Sequence, residues 1–138
     1  MTSQWLTFAM LAITLQIFAL LVYAALKRIL AVRNKQLHYK VVQNLDYRQM
    51  PEDILLAGRS YDNQFQQPIL FLLLLSMLQI ENTSILWVIA AWCFIALRFW
   101  HTFEHISAKN IKRRTYAFGL SSLVLLTMWL TFLIGQLM

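Results

Sequence analysis

A chain of 138 residues that is 59% hydrophobic, with three Gly and two Pro, is too apolar for an ordinary water-soluble domain, in which roughly 45–50% apolar residues is usual. Twelve Lys and Arg against six Asp and Glu give a formal net charge of +6; no nucleic-acid-binding motif accompanies that excess, so it points to lipid head groups and anionic ligands rather than to nucleic acid. The lone cysteine, Cys93, excludes an internal disulfide framework and a cysteine metal cluster, and the length suits one domain over residues 1–138.

A membrane-spanning helix needs about 20 mainly apolar residues. The first such run is Trp5 to Leu26. It is too long for the apolar region of a signal peptide, and no positive residue precedes it. The second run, Pro68 to Ile80, is too short to cross unless it takes in Tyr61 to Gln67, which brings Asp62, Asn63, Gln64, Gln66 and Gln67 with it. Lipid cannot satisfy so many polar groups, so they should face the protein interior or a wet cleft. Pro51 followed by Glu52 and Asp53 makes a good first helical turn. The sequence therefore predicts one long helix from about Pro51 to Ile80, kinked at Pro68. Ile85 to Phe103 and Tyr116 to Leu137 supply the third and fourth runs. The expected architecture is all-α: an integral membrane bundle of four helices. Residues 33–50 read equally as a helical extension or a loop.

Orientation follows from the connections. The first carries Lys27, Arg28, Arg33, Lys35, Lys40 and Arg48, and the third carries Lys109, Lys112, Arg113 and Arg114; the second, Glu81 to Ser84, and both ends carry none. By the positive-inside rule the basic connections are cytoplasmic and both termini lie on the non-cytoplasmic side.

Two polar groups fall at the basic ends of the second and third spans. Arg59, Asn63 and Gln66 stand at i, i+4 and i+7, one face of a helix. A guanidinium and two amides can grip a carboxylate or a peptide backbone; equally, Arg59 can snorkel to head groups while the amides bond neighbouring helices. Arg98, His101 and His105 stand at i, i+3 and i+7, again one face, and Arg98 lies inside an apolar run. An intramembrane Arg is by default a functional candidate; its structural alternative is a pair with Asp62 or Glu104. His101, Glu104 and His105 also fit an H-x-x-E-H zinc pattern, which would make a metal-dependent hydrolase. A third protein ligand is missing, so no metal is expected. Cys93 reads as a buried thiol, and Gln16, Ser121, Ser122, Thr127 and Thr131 as interhelical hydrogen-bonding residues.

The stretch from Arg59 through Asn63 and Gln66 to Pro68 resembles the R-x-x-x-N-x-x-E signature, with a following Pro, of the membrane-associated proteins in eicosanoid and glutathione metabolism, the MAPEG family. Arg98-Phe-Trp-His101-Thr102 resembles the R-x-x-H-T of one branch of that family, and the wording around Asn63 is similar to that of its small bacterial members. The resemblance covers nearly the whole chain. It implies a homotrimer of four-helix subunits in a membrane, the inner membrane if bacterial, with glutathione as co-substrate in a bent form at subunit interfaces on the cytoplasmic side. On that pattern Arg59, Asn63 and Gln66 grip the peptide, Arg98 contacts a carboxylate or backbone, and His101 and His105 complete the binding surface. An Arg beyond the third span lowers the thiol pKa; its match is Lys112, Arg113 or Arg114, with Arg114 preferred. The implied activity is a glutathione transferase or peroxidase acting on lipophilic substrates. The alternative is a non-catalytic protein holding a lipid or small anion in the same cleft. The chain departs from the pattern at Gln66, where the signature has Glu, and at His105, where a Tyr is usual.

Overall fold

A computed structural model describes residues 2–44, 46–79, 84–107 and 110–137. Every regular element among them is helical: α1 Thr2–Arg33, α2 Tyr39–Gln43, α3 Glu52–Asp62, a 3₁₀ turn Asn63–Phe65, α4 Gln67–Leu78, α5 Ile85–Ser107 and α6 Ile111–Leu137. Three of them, α1, α5 and α6, are long and apolar enough to cross a membrane.

The helices overrun their apolar runs. At 32 residues α1 is roughly 48 Å long, against a hydrocarbon core of about 30 Å. Lys27, Arg28 and Arg33 therefore lie on its last turns rather than in a loop, and Lys112, Arg113 and Arg114 lie on the first turns of α6. Asn110 sets that start. Its Oδ1 accepts from the amides of Lys112 at 3.0 Å and Arg113 at 3.3 Å, satisfying donors that a helix start leaves free.

One core joins α1, α4, α5 and α6: Leu6, Ala9 and Ile13 meet Phe71, Leu74, Leu75 and Leu78, with Val88, Ala91, Phe94 and Ile95 and with Leu125, Met128 and Phe132. Phe71 stacks on Phe94 with centroids 4.3 Å apart. The opposite faces stay apolar and exposed, as at Leu15, Phe18, Ile89, Leu126 and Ile134. Helices that are apolar all round suit a lipid solvent.

Polar staples fix the neighbours. Gln67 of α4 donates to Ser122 and accepts from Ser121 at 3.0 Å, so those two serines bond between helices as expected. Gln16 of α1 does too, donating to Thr102 Oγ1 at 2.6 Å. Thr127 instead bonds the Val124 carbonyl of its own helix, and Thr131 lines a groove between α5 and α6. Cys93 is exposed on the outer side of α5, not buried.

The continuous helix expected over 51–80 is interrupted. α3 ends at Asp62, a 3₁₀ turn follows, Gln66 takes φ −98°, ψ −100°, and α4 resumes with Pro68 in its first turn. Pro disfavours helical backbone in the residue before it and is well placed where a helix begins. The expected kink is therefore a break, three residues upstream of where a kink at Pro68 alone would start. Ile80 lies outside the described residues, as does most of the connection to α5. Residues 33–50 combine both expectations: a turn, the five-residue helix α2, and a second turn.

Candidate functional site

The break in the second helical segment faces α5, and the two form a polar seam. On α5 the i, i+3, i+7 spacing performs as read: Arg98, His101 and His105 are all buried on one face, with Thr102 and Glu104 beside them. Arg98 is fully enclosed. Its Nη2 donates to the backbone carbonyl of Asn63 at 3.3 Å, the residue where α3 gives way to the 3₁₀ turn. A helix interior offers no free carbonyl, so the break is what provides this acceptor. Neither Asp62 nor Glu104 forms an ion pair with Arg98: Asp62 is exposed, and Glu104 accepts from Trp100 at 3.3 Å and lies 3.9 Å from Arg113.

Around Arg98 the seam holds several buried polar atoms without a hydrogen-bond partner among the described residues: Arg98 Nε and Nη1, Ser60 Oγ, Gln64 Oε1, His101 Nε2 and His105 Nδ1. Buried polar atoms are ordinarily paired, and each one left over costs about 1–3 kcal/mol. His101 is held by its other nitrogen, Nδ1 lying 3.1 Å from the Arg114 carbonyl, and its ring packs edge-on to His105. His105 lies within the electrostatic reach of Arg114, Arg59 and Arg98. Three guanidinium groups thus converge on this end of α5.

The second predicted face is not kept as one face. Arg59 is on α3, Asn63 begins the 3₁₀ turn, and Gln66 is exposed at the break. The face of α3 turned inward is Ser60 and Gln64 instead, buried to within 1% and joined by Gln64 Nε2 to the Ser60 carbonyl at 3.0 Å. Sequence reading passed over these two. The signal was available, because Ala57, Ser60 and Gln64 follow the helical spacing of the buried residue Ile54.

Arg59 opens on a groove of about 220 Å³ lined by Arg28, Tyr47, Met50, Ile54, Leu55, Gly58 and Asp62. There α1 and α3 come close: a Cβ on Gly58 would stand 2.9 Å from Arg28 Nη2. Arg114 opens on a second cleft, of about 180 Å³, with Glu52, Leu56, Glu104, Asn110 and Ile111. Arg98 lines neither. Within one chain, then, Arg59, Arg98 and Arg114 approach one another around the seam without sharing an open cavity. Of the two candidate activating residues, Arg113 is two-thirds exposed and turned toward Glu104, while Arg114 is half-buried at the cleft. His101, Glu104 and His105 gain no third metal-binding side chain among the described residues.

Comparison with known proteins matches residues 5–134 to the MAPEG family. No curated protein matches the chain. A match over nearly the whole length, on helices of this length and apolarity, makes the chain an integral membrane protein that belongs to the MAPEG family.

Proposed function

We propose that this protein is a glutathione-dependent transferase or peroxidase acting on lipophilic electrophiles, built as a homotrimer of four-span subunits with glutathione at the subunit interfaces near the basic side of the membrane. The family includes enzymes of both kinds. The observation that carries the reading is the seam: a buried guanidinium with two free nitrogens, flanked by further unpartnered polar atoms and by Arg59 and Arg114. Such a group of donors suits the two carboxylates and peptide backbone of glutathione.

An interface site is supported by size. The clefts at Arg59 and Arg114 are about 220 and 180 Å³, below the range of roughly 300–1,000 Å³ typical of small-molecule sites. A neighbouring subunit would complete them. In this reading Arg59, Asn63 and Gln66 hold the peptide at the rim. Arg98 fixes the break through the Asn63 carbonyl and presents its remaining donors, while His101 and His105 line the inner wall. Gln66 cannot balance the substrate ammonium as a Glu would; Glu52 and Glu104, which line the Arg114 cleft, supply that charge.

Glutathione supplies a thiol with a pKa near about 8.5, whose thiolate is the nucleophile. Arg114 favours that thiolate by its charge, and Arg113, turned toward Glu104, does so less. The exposed apolar faces of the helices bring the second substrate from the lipid.

Titration of the detergent-solubilised protein with glutathione, followed by calorimetry and thiolate absorbance, tests this. Binding should weaken at least tenfold in Arg59→Ala. In Arg114→Ala binding should persist and the thiolate signal should disappear. If glutathione does not bind, the proposal fails, and a lipid or small anion co-purifying in the seam would establish the non-catalytic alternative.

A further inference from the structure

The basic end of α1 is built rather than frayed. The amides of Gln36 and Lys35 donate to the carbonyls of Ala31 and Val32, at 2.9 and 3.0 Å, while Lys35 takes φ 57°. This turn caps the helix and reverses the chain. Leu37 is thereby driven into a small core with Ala31, Met50 and Ile54. His38 then caps α2, its Nδ1 accepting from the Lys40 amide at 3.2 Å. As a result α2 lies back against the last turns of α1.

Between the two helices runs an open slot of about 390 Å³, lined by Arg28, Ile29, Val32, Arg33, Tyr39 and Val42. Its walls are apolar or aromatic, its charged members are both Arg, and no acid lines it. Ile29 and Tyr39 are more than half exposed. Arg33 is exposed and has no protein partner among the described residues, and Arg28 Nε is buried without one. The slot begins where the apolar run of α1 ends, which is the depth of lipid head groups. A soluble anion would match the arginines and leave the floor uncovered. A neutral lipid would cover the floor and leave the arginines unmatched. A phosphate head group with an acyl chain attached matches both.

We propose that this slot binds an anionic phospholipid, with its phosphate at Arg33 and Arg28 and one acyl chain along Ile29, Val32, Tyr39 and Val42. The site is distinct from the seam, which α3, α5 and the start of α6 build, and it does not depend on glutathione chemistry. Lipid bound there braces α2 against α1.

The test uses the full-length protein, delipidated in neutral detergent. Native mass spectrometry and thermal melting are run with phosphatidylglycerol, with phosphatidylcholine of the same chains, and with inorganic phosphate. Phosphatidylglycerol should be retained and raise the melting midpoint, and phosphatidylcholine should bind about tenfold more weakly, the scale of one charge-assisted contact. Phosphate alone should not protect. Arg33→Ala should lower retention of phosphatidylglycerol to the phosphatidylcholine level, and Arg33→Lys should restore part of it. Arg33 is the position to change because Arg28 also packs against Gly58. Equal retention of the two lipids, equal protection by phosphate, or an Arg33→Ala protein that keeps its helicity and its phosphatidylglycerol would each overturn the proposal. So would an Arg33→Glu variant that dissociates into monomers while lipid retention is unchanged, since the slot would then be a contact between copies.

Discussion

Arg98 makes one side-chain hydrogen bond, to a backbone carbonyl, and has no carboxylate partner. Enclosing an ion without a counter-charge costs several kcal/mol even after relaxation, so stability alone does not explain this residue. Arg98→Met, of similar length and apolar, should therefore leave the thermal midpoint in detergent unchanged or higher, while glutathione affinity falls about tenfold or more. A protein that unfolds on this substitution, with Arg98→Lys also failing to restore binding, would show that Arg98 is purely structural. The pair of Lys27 and Asp53 is the contrasting case. Lys27 Nζ lies 2.8 Å from Asp53 Oδ2 at the surface, and this hydrogen bond holds the Asp53 carboxyl below its ordinary range. The contribution is complete above the unfolded-state value of about 3.9 and is lost as pH falls through the lower folded value. An exposed pair is worth at most about 1 kcal/mol. The stability gap between the protein and Asp53→Asn should thus be small at pH 7 and close below about pH 4; a gap that widens in acid would contradict the assignment.

At the scale of elements, the most instructive feature is the break between α3 and α4. Pro68 was visible in the sequence, and its restriction of Gln67 is local chemistry. Where the helix actually fails depends on α5, because Arg98 takes the Asn63 carbonyl that the 3₁₀ turn releases. The same contrast explains the two polar faces. Arg98, His101 and His105 stand on an uninterrupted helix, so a 3.6-residue period located them correctly. Arg59, Asn63 and Gln66 straddle the break, so the period misplaced them. The end of α1 gives a direct test of local strain. Lys35 occupies a left-handed conformation at a position that favours Gly, and it closes a fully hydrogen-bonded turn. Lys35→Gly should stabilise the folded protein by up to about 1 kcal/mol, read from denaturant unfolding in mixed micelles. Destabilisation would mean that the Lys35 side chain makes up for its backbone strain.

The whole molecule is incomplete as a ligand site and complete as a membrane core. Four helices bury a continuous apolar cluster, yet the clefts beside Arg59 and Arg114 are each smaller than a tripeptide site requires. On the proposed reading a second subunit closes them. Native mass spectrometry should then show a trimer in mild detergent, with up to three glutathione molecules and with binding lost when the trimer is dissociated. A monomer that retains full affinity would place the site within one chain.

What the sequence determined by itself was everything that follows from local chemistry and from lipid as solvent: helical structure throughout, three long apolar helices and their basic ends, the buried face of α5, and a family signature running from Arg59 to Pro68 and from Arg98 to Thr102. Hydrophobicity and helical period are properties of neighbouring residues, so they can be read without the fold. The tertiary structure alone decided that Arg98 meets a backbone carbonyl instead of Asp62 or Glu104, that Ser60 and Gln64 rather than Arg59 and Gln66 turn inward, and that Arg113 faces Glu104 while Arg114 faces the cleft. Each of those outcomes depends on which helix lies opposite and at what height, a relation between residues tens of positions apart that no spacing along the chain encodes.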